Sequence, residues 1–424
     1  MKYIIEDTTL SNIADAIRSK TGDTAEYTPA EMPAKIEAIE TGSGGGGSGT
    51  GGGYTTDYIY RAIKNGDKSI NDLLSDIDNG VWVNGIELFY NDSNLDCLQT
   101  SGKNLKLTDC HSMFQNTSGA NLKNLDVSKF DTSKVLDFYQ MFYNTRFSSI
   151  DLTGMKFYEA RDLTNMFYNN TSLTEVTLDF TGAQKIENLT GLFRKCTDLE
   201  KINGLENLDT SKVENMSYMF SEIQTYLDVD ISNFVLQDQS SACDMEYMFY
   251  KSYIKSITFP SSGEGKFAYM FNEARVKELV DMGNLNLSSK VSTVSSFLNT
   301  AQLYKGIILP GFPKLNSSLT LGNSNTKVYS IKFGPGKTFG SESATTLTLS
   351  LVYNWKGLAT DTVPADFGGK TYGELYEEFA NSIAPNESGK TRTIKLYTSF
   401  YNSLSDEQKA LLTGKGYTLS YGTT

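Results

Sequence analysis

A Met-Phe pair returns along the middle of this chain, at Met113-Phe114, Met141-Phe142, Met166-Phe167, Met219-Phe220, Met248-Phe249 and Met270-Phe271. Leu192-Phe193 stands in register with these, and Phe297-Leu298 is a degenerate eighth copy. Successive spacings are 28, 25, 26, 27, 29, 22 and 27 residues. A unit of this length cannot bury its own apolar face, whereas stacked units share one continuous core, so the period dictates a solenoid.

Each unit carries two further patterns. Six or seven residues after most pairs come apolar positions that end in alternation, as in Phe147/Ile150/Leu152, Leu173/Val176/Leu178, Tyr226/Val229/Ile231, Ile254/Ile257/Phe259 and Tyr304/Ile307/Leu309. The first copy, Leu122/Leu125/Val127, follows its pair by nine. Alternation is the period of a half-buried strand. Apolar residues also sit six and three positions before the Met, as in Val135/Phe138/Met141 and Ala160/Leu163/Met166, which is one face of a short helix. The expected architecture is therefore an α/β repeat solenoid of leucine-rich-repeat type, with one short strand and one short helix per repeat of about 25 residues. Some ten rungs at the inter-strand spacing make a slab roughly 45 Å long.

The flanks divide clearly. Residues 41–53 hold nine glycines in thirteen positions, a flexible linker spanning roughly 20 Å. The segment lacks the GK[ST] of a phosphate-binding loop. Upstream, residues 1–40 read as a small helical module: Leu10, Ile13 and Ile17 recur at helical spacing, Thr28-Pro29-Ala30-Glu31 is a helix start, and Met32, Ile36 and Ile39 share a second face. Two such helices bury too little to stand alone, which points to self-association or to an anchoring role. Residues 54–106 are assigned as the N-terminal cap of the solenoid, 107–312 as the repeats, and 313–424 as degenerate repeats with an α+β C-terminal cap. Within that last part, Val328/Ile331/Phe333 and Leu347 to Leu351 read as rungs. Thr371 and Glu374 form a capping box before a helix bearing Leu375, Tyr376, Phe379 and Ile383. Thr393 to Leu396 reads as a strand, Ser405 and Gln408 cap a helix that ends at Gly414, and Tyr417 to Tyr421 reads as a final strand.

Composition then removes function classes. Lys+Arg of 38 against Asp+Glu of 50 gives a net charge of −12, which argues against a nucleic-acid partner. The single histidine, His111, excludes a zinc site with two His ligands and any mechanism that needs a His pair. Cys97, Cys110, Cys196 and Cys243 show no metal spacing and read as small buried thiols, though a disulfide stays open. Cys110 and His111 are adjacent and cannot face each other in a helix. Asp126, Asp131 and Asp151 recur after strands, where a glycosidase carboxylate and a turn-forming aspartate are the two readings, and turn chemistry is preferred. No cofactor or metal is called for. No window approaches a membrane span, and the first residues turn acidic before any apolar stretch that a secretory signal requires. The aromatic load, 25 Tyr and 23 Phe against 2 Trp, has two readings: rings that complete a core or interface, and rings exposed in rows that receive sugars or proteins.

The phrases LDVSKFDTSKV (125–135), YQMFYN (139–144), LTNMFYNNTSL (163–173) and LDTSKVENMSYMF (208–220) resemble the BspA-type leucine-rich repeats of bacterial surface proteins. They lack a fixed Asn or Cys after the strand, so the asparagine ladder of an ordinary leucine-rich horseshoe is not expected. Separately, LSNIADAIRSKTG with YTPAEMPAKIEAI resembles a short module that begins tail and fibre proteins of bacteriophages of Gram-positive hosts, and LSDEQKALLTGKGYTLSY is similar to endings of phage proteins with such repeats. These resemblances imply a non-enzymatic virion protein, a tail fibre or receptor-binding protein assembled in the host cytoplasm and displayed on the particle. Its attachment residues would be Leu10, Ile13, Ile17, Met32, Ile36 and Ile39. Its partners would be other virion proteins and a host cell-surface glycan or protein, and the likeness to fibres implies a homo-oligomer, a trimer for preference. Tyr397, Tyr401 and Tyr417 are nominated for receptor contact on the premise that the N-terminus is the attached end. A capsid or tail decoration, a bacterial adhesin and a polysaccharide depolymerase remain the alternatives.

Overall fold

The computed structural model describes residues 82–91, 105–118, 127, 130–236, 243–288, 294–313, 315–340, 344–387 and 389–423. The expected N-terminal helices and the glycine linker lie outside them. What is described is a solenoid of about eleven parallel-strand turns. Strands β1 (Trp82–Asn84), β2 (Leu105–Asp109) and β3 (Phe130–Asp131) pair in order, as do β4 (Ser149–Asp151), β5 (Glu175–Thr177) and β6 (Lys201–Asn203). The next sheet runs β13 (Gln302–Leu303), β10 (Arg275–Val276), β8 (Tyr253–Thr258), β7 (Leu227–Asp230); β9 (Gly263–Gly265) pairs with β12 (Leu285–Leu287), β11 (Val280–Asp281), β14 (Ile307–Leu309) and β16 (Ile331–Phe333) pair in order, and β15 (Leu319–Thr320) opens the last sheet. Every ladder between these strands is parallel, and residues one repeat apart face each other: Ile150 opposes Val176, which opposes Ile202. The alternating pattern read from sequence falls on these strands, with Ile150, Leu152, Val176, Leu178, Val229 and Ile231 turned into the core.

The helix expected in each repeat is not there; among the described coils the Met-Phe segment is a run of turns. Met141 N–H donates to the Phe138 carbonyl at 3.1 Å and Tyr143 N–H to the Gln140 carbonyl at 3.0 Å. The amides between them point along the solenoid axis instead. Gln140 N–H donates to Thr164, Phe142 to Met166 and Asn144 to Tyr168, all in the next coil, at 3.0, 2.8 and 2.8 Å. An amide bonded to the neighbouring coil cannot also close a helical i to i−4 bond. The alternation needs two residues per coil at positive φ, the one before the Met and the one two after the Phe, for example Gln140 and Asn144 (both 54°) or Asn165 (55°) and Asn169 (65°). Every described non-glycine residue with positive φ sits at one of these two positions, from Glu87 to Thr300. Each such residue costs about 1–2 kcal/mol, which the inter-coil bonds and the packing beneath them must offset.

The reason a helix was expected is visible in the core. Phe138, Met141 and Phe142 are fully buried and Thr145 is nearly so. That three-one-three spacing is the same as i, i+3, i+4, i+7 on a helix face. The Phe of each pair stacks on the next, from Phe89 through Phe114, Phe142, Phe167, Phe193, Phe220 and Phe249 to Phe271, with centroids 5.0 to 5.8 Å apart. The column breaks at Phe297, whose ring is turned 72° to Phe271. Leu88-Phe89 occupies the same place as the pairs, so residues 82–91 fold as one more coil.

Four residues after the Met, small or polar side chains close the column. Thr117 Oγ1 donates to the Phe89 carbonyl, Asn170 Nδ2 to those of Phe142 and Phe167, and Ser252 Oγ to that of Phe220. Asn170 Oδ1 in turn accepts from Thr145 N–H and Oγ1, so every polar atom of this fully buried side chain is bonded.

True helices return in the C-terminal cap. Strands β17 (Thr346–Ser350), β18 (Thr391–Tyr397) and β19 (Thr418–Gly422) continue the parallel stack, with α1 (Tyr372–Ser382) crossing between the first two, and α2 (Thr398–Ser403) and α3 (Asp406–Thr413) between the last two. Both capping boxes read from sequence are formed, at Thr371/Glu374 and Ser405/Gln408. Trp355 anchors the cap, its ring within 6.1 Å of Tyr376, Phe379 and Phe400 and its Nε1 donating to the Tyr329 carbonyl at 2.8 Å.

Candidate functional site

The turns present two kinds of outward column. At the second positive-φ position Asn91, Asn116, Asn144 and Asn169 form a ladder in which each Nδ2 donates to the Oδ1 one coil before, at 2.7 to 3.0 Å. An asparagine ladder is thus present, on the turn face and not after the strand, because asparagine tolerates positive φ better than other residues with a Cβ. Further on the same column becomes Lys195, Glu222, Lys251 and Glu273, paired at 3.8 Å and 3.7 Å. Such exposed pairs contribute little to stability.

Beside this ladder runs a stripe of half-exposed aromatic rings. Tyr143 and Tyr168 lie 5.0 Å apart, and the Arg194 guanidinium sits 5.4 Å from the Tyr168 ring and 4.6 Å from Tyr218. Tyr218, Tyr247 and Tyr269 then stack at 4.6 and 4.5 Å, within 5° of parallel. The rings repeat because the residue before the Met is tyrosine in three consecutive coils, and parallel in-register coils place like side chains over one another. Partial burial pushes the Tyr218 phenol up, with the Arg194 charge pulling against it. The stripe offers flat apolar faces with polar edges.

Among the described residues, the catalytic candidates named from sequence do not converge on one another. Cys110 is fully buried, and burial pushes its thiol well up, while His111 next to it faces outward, stacked on Tyr139 at 4.8 Å with Nδ1 3.5 Å from Asp137 Oδ2. Asp131 and Asp151 act in turns, their Oδ1 atoms accepting from Ser133 and Thr153 amides; Asp126 lies outside the described residues. A second aspartate and asparagine column, Asp109, Asp137, Asp162, Asn188, Asn215 and Asp244, does the same before each pair. Among the described residues no three His, Cys, Asp or Glu side chains converge as a metal site, and no helix is long and apolar enough to cross a membrane. Cys110, Cys196 and Cys243 are free and buried; Cys97 lies outside the described residues.

The nominated attachment residues Leu10, Ile13, Ile17, Met32, Ile36 and Ile39 also lie outside the described residues. The three nominated tyrosines are placed differently from one another. Tyr417 is a core residue, 3% exposed, its hydroxyl donating to the Ala384 carbonyl, so it offers no ring to a partner. Tyr397 is half-buried at the end of β18. Tyr401 stacks on the exposed Tyr421 at 4.7 Å with Lys409 Nζ 5.0 Å from its ring. Tyr143, Tyr168 and Tyr250 directly follow pairs and Tyr218, Tyr247 and Tyr269 precede them; the close stacking of the second set is not legible from spacing, since one helix per repeat would hold such rings about 8–10 Å apart.

No curated protein and no solved structure matches the chain. Two overlapping stretches, residues 83–180 and 161–280, match the family described as Mycoplasma protein of unknown function, DUF285, and the coils that carry the tyrosine stripe are similar to that family.

Proposed function

We propose that this chain is a non-enzymatic adhesive protein of a bacteriophage particle, a tail fibre or receptor-binding protein built on BspA-type repeats. Its solenoid presents the tyrosine stripe to the surface of a Gram-positive host. The observation that carries the reading is two runs of rings, Tyr143 with Tyr168 and Tyr218 with Tyr247 and Tyr269, bridged by the Arg194 guanidinium and held by a backbone bonded from coil to coil. Aromatic rings with two rotatable bonds lose little entropy when a partner covers them, which is why they dominate binding hot spots. The phage likeness of the N- and C-terminal phrases supplies the setting. In that setting residues 1–40 dock on other virion proteins, the glycine linker gives reach, and homo-oligomerisation, with a trimer preferred, multiplies weak contacts into avidity.

The test is binding of the full chain to cells of candidate hosts, beside a variant carrying Tyr218→Ser, Tyr247→Ser and Tyr269→Ser. The reading expects the parent to bind one host and the folded variant to lose about tenfold or more in affinity. Equal binding by both removes the stripe from the account. Coating of particles that lack the protein, without any cell binding, makes the chain a decoration.

A further inference from the structure

Where the last coils meet the cap, a cleft of about 410 Å³ opens between the turn at Ser324 to Tyr329 and the segment Tyr353 to Lys356. Its volume lies within the range of small-ligand sites, about 300–1,000 Å³. Three tyrosine rings wall it, Tyr329, Tyr353 and Tyr372, the first and last 6.1 Å apart. Tyr329 is itself held by Phe367, edge to face at 5.2 Å, so the wall is fixed before any ligand arrives. Gln302 and Asn325 add amide donors and acceptors at the rim.

Two observations say what the cleft is built for. The first is charge. In a chain of net charge −12, the lining holds two lysines, Lys327 and Lys356, and no carboxylate. Lys356 Nζ sits 5.6 Å from the Tyr353 ring and donates to the Ser324 carbonyl at 3.1 Å. The carboxylate behind the wall, Asp361, is engaged by the Leu358 amide. The second is an unpaired acceptor. Asn354, 1% exposed, repeats the role of Asn170: its Nδ2 donates to the Val328 carbonyl of the coil before, at 2.9 Å. Asn170 Oδ1 is filled by Thr145, whereas Asn354, a residue of the cleft lining, leaves its buried Oδ1 without a partner. A buried acceptor left open is costly, and a turn of the side chain toward a ligand hydroxyl recovers that cost.

We propose that this cleft binds one acidic sugar unit, a pyranose bearing a carboxylate or a phosphate. The tyrosines take the C–H faces of the ring, the Asn354, Asn325 and Gln302 amides take hydroxyls, and Lys327 and Lys356 take the anionic group. Aromatic faces alone suit any planar ligand; the combination with an open buried amide oxygen and two lysines selects a polyhydroxylated anion. The site is distinct from the tyrosine stripe, so titration with free sugars tests the cleft and cell binding tests the stripe, and either can fail alone.

The experiment is titration of the full chain with glucuronic acid, glucose 1-phosphate, glucose and AMP, followed by tyrosine fluorescence. The expected result is saturable binding of one or both acidic sugars with a Kd of about 1 mM. Glucose should bind about tenfold more weakly, through loss of the charged contacts. The two acidic probes tell carboxylate from phosphate. A Lys327→Gln, Lys356→Gln double variant, which leaves the core untouched, should bind acid and neutral sugar alike, and Asn354→Ala should weaken both. Failure of every sugar to saturate, glucose as tight as the acids, AMP as tight as the acids, or a double variant that still prefers the acids each overturns the proposal.

Discussion

The repeats and the C-terminal cap carry the same inward hydrophobic spacing and build different backbones from it. In the coils Phe138, Met141, Phe142 and Thr145 point inward from a run of turns; in the cap Leu375, Tyr376 and Phe379 point inward from α1. The difference lies in where the amides go. A coil of 22 to 29 residues must supply its strand, its return and its pair segment within one inter-strand step, so its pair-segment amides bond to the neighbouring coil. Between β17 and β18 the chain has about forty residues, enough for eleven to close their own helix behind a capping box. The lesson is that an i, i+3, i+4, i+7 pattern fixes which side chains are buried but not which hydrogen bonds bury them.

Substitutions at five positions break or sharpen this contrast. The largest effect is expected from the ring column: Phe167→Ala, fully buried between Phe142 and Phe193, should cost about 3–5 kcal/mol by denaturant unfolding. In a nearest-neighbour stack the loosened amides should be those of adjoining coils and not those of the cap, which residue-level hydrogen exchange reads directly.

Next comes a pair of glycine substitutions with opposite signs. At Gln140, where φ is 54°, glycine should be more stable than alanine by about 1–2 kcal/mol, because only glycine adopts that conformation without strain. At Glu377 in α1, alanine should be more stable than glycine by about 1 kcal/mol. The same sign at both sites would mean that the coil and the helix do not differ as described.

How much of this was legible in the residues follows from the same contrast. The strands, the shared core and the cap helices α1 and α3 are readable, since alternation at Ile150/Leu152 and the boxes at Thr371/Glu374 and Ser405/Gln408 each have one physical meaning, whereas the six-residue α2 has no capping side chain to announce it. The turns are not readable, since spacing cannot report an amide's partner. The clue that was available is the residue type at the two positive-φ positions, where Asn116, Asn144, Asn165, Asn169 and Gly191 are poor choices for helix interiors. The stripe is hidden for the same reason, because Tyr218, Tyr247 and Tyr269 stack at 4.6 and 4.5 Å only when each coil is bonded in register to the next. The cleft was beyond sequence reasoning, for Gln302, Lys327 and Asn354 come from three successive coils.

A smaller effect is expected at the start of α1. Thr371→Ala removes the hydroxyl that accepts from Glu374 N–H and should cost about 1 kcal/mol in thermal or denaturant unfolding. The smallest concerns pH. The Thr371 amide, then its hydroxyl, hold the Glu374 carboxyl below the usual glutamate range. A lowered folded pKa gives stability that is present above the unfolded value, about 4.3, and is lost as pH falls through the lower folded one. Glu374→Gln should therefore flatten the acid limb of the stability curve, its difference from the parent shrinking below about pH 4. An unchanged acid limb would show that the box contributes through shape and not through charge.

The most direct test of the contrast is the helix content of the folded chain by far-UV circular dichroism, before and after deletion of residues 1–53. The shortened chain should keep only the small helical signal of α1, α2 and α3, on a background dominated by strand and turn. A helical signal several times larger, as one helix per Met-Phe unit would give, contradicts it.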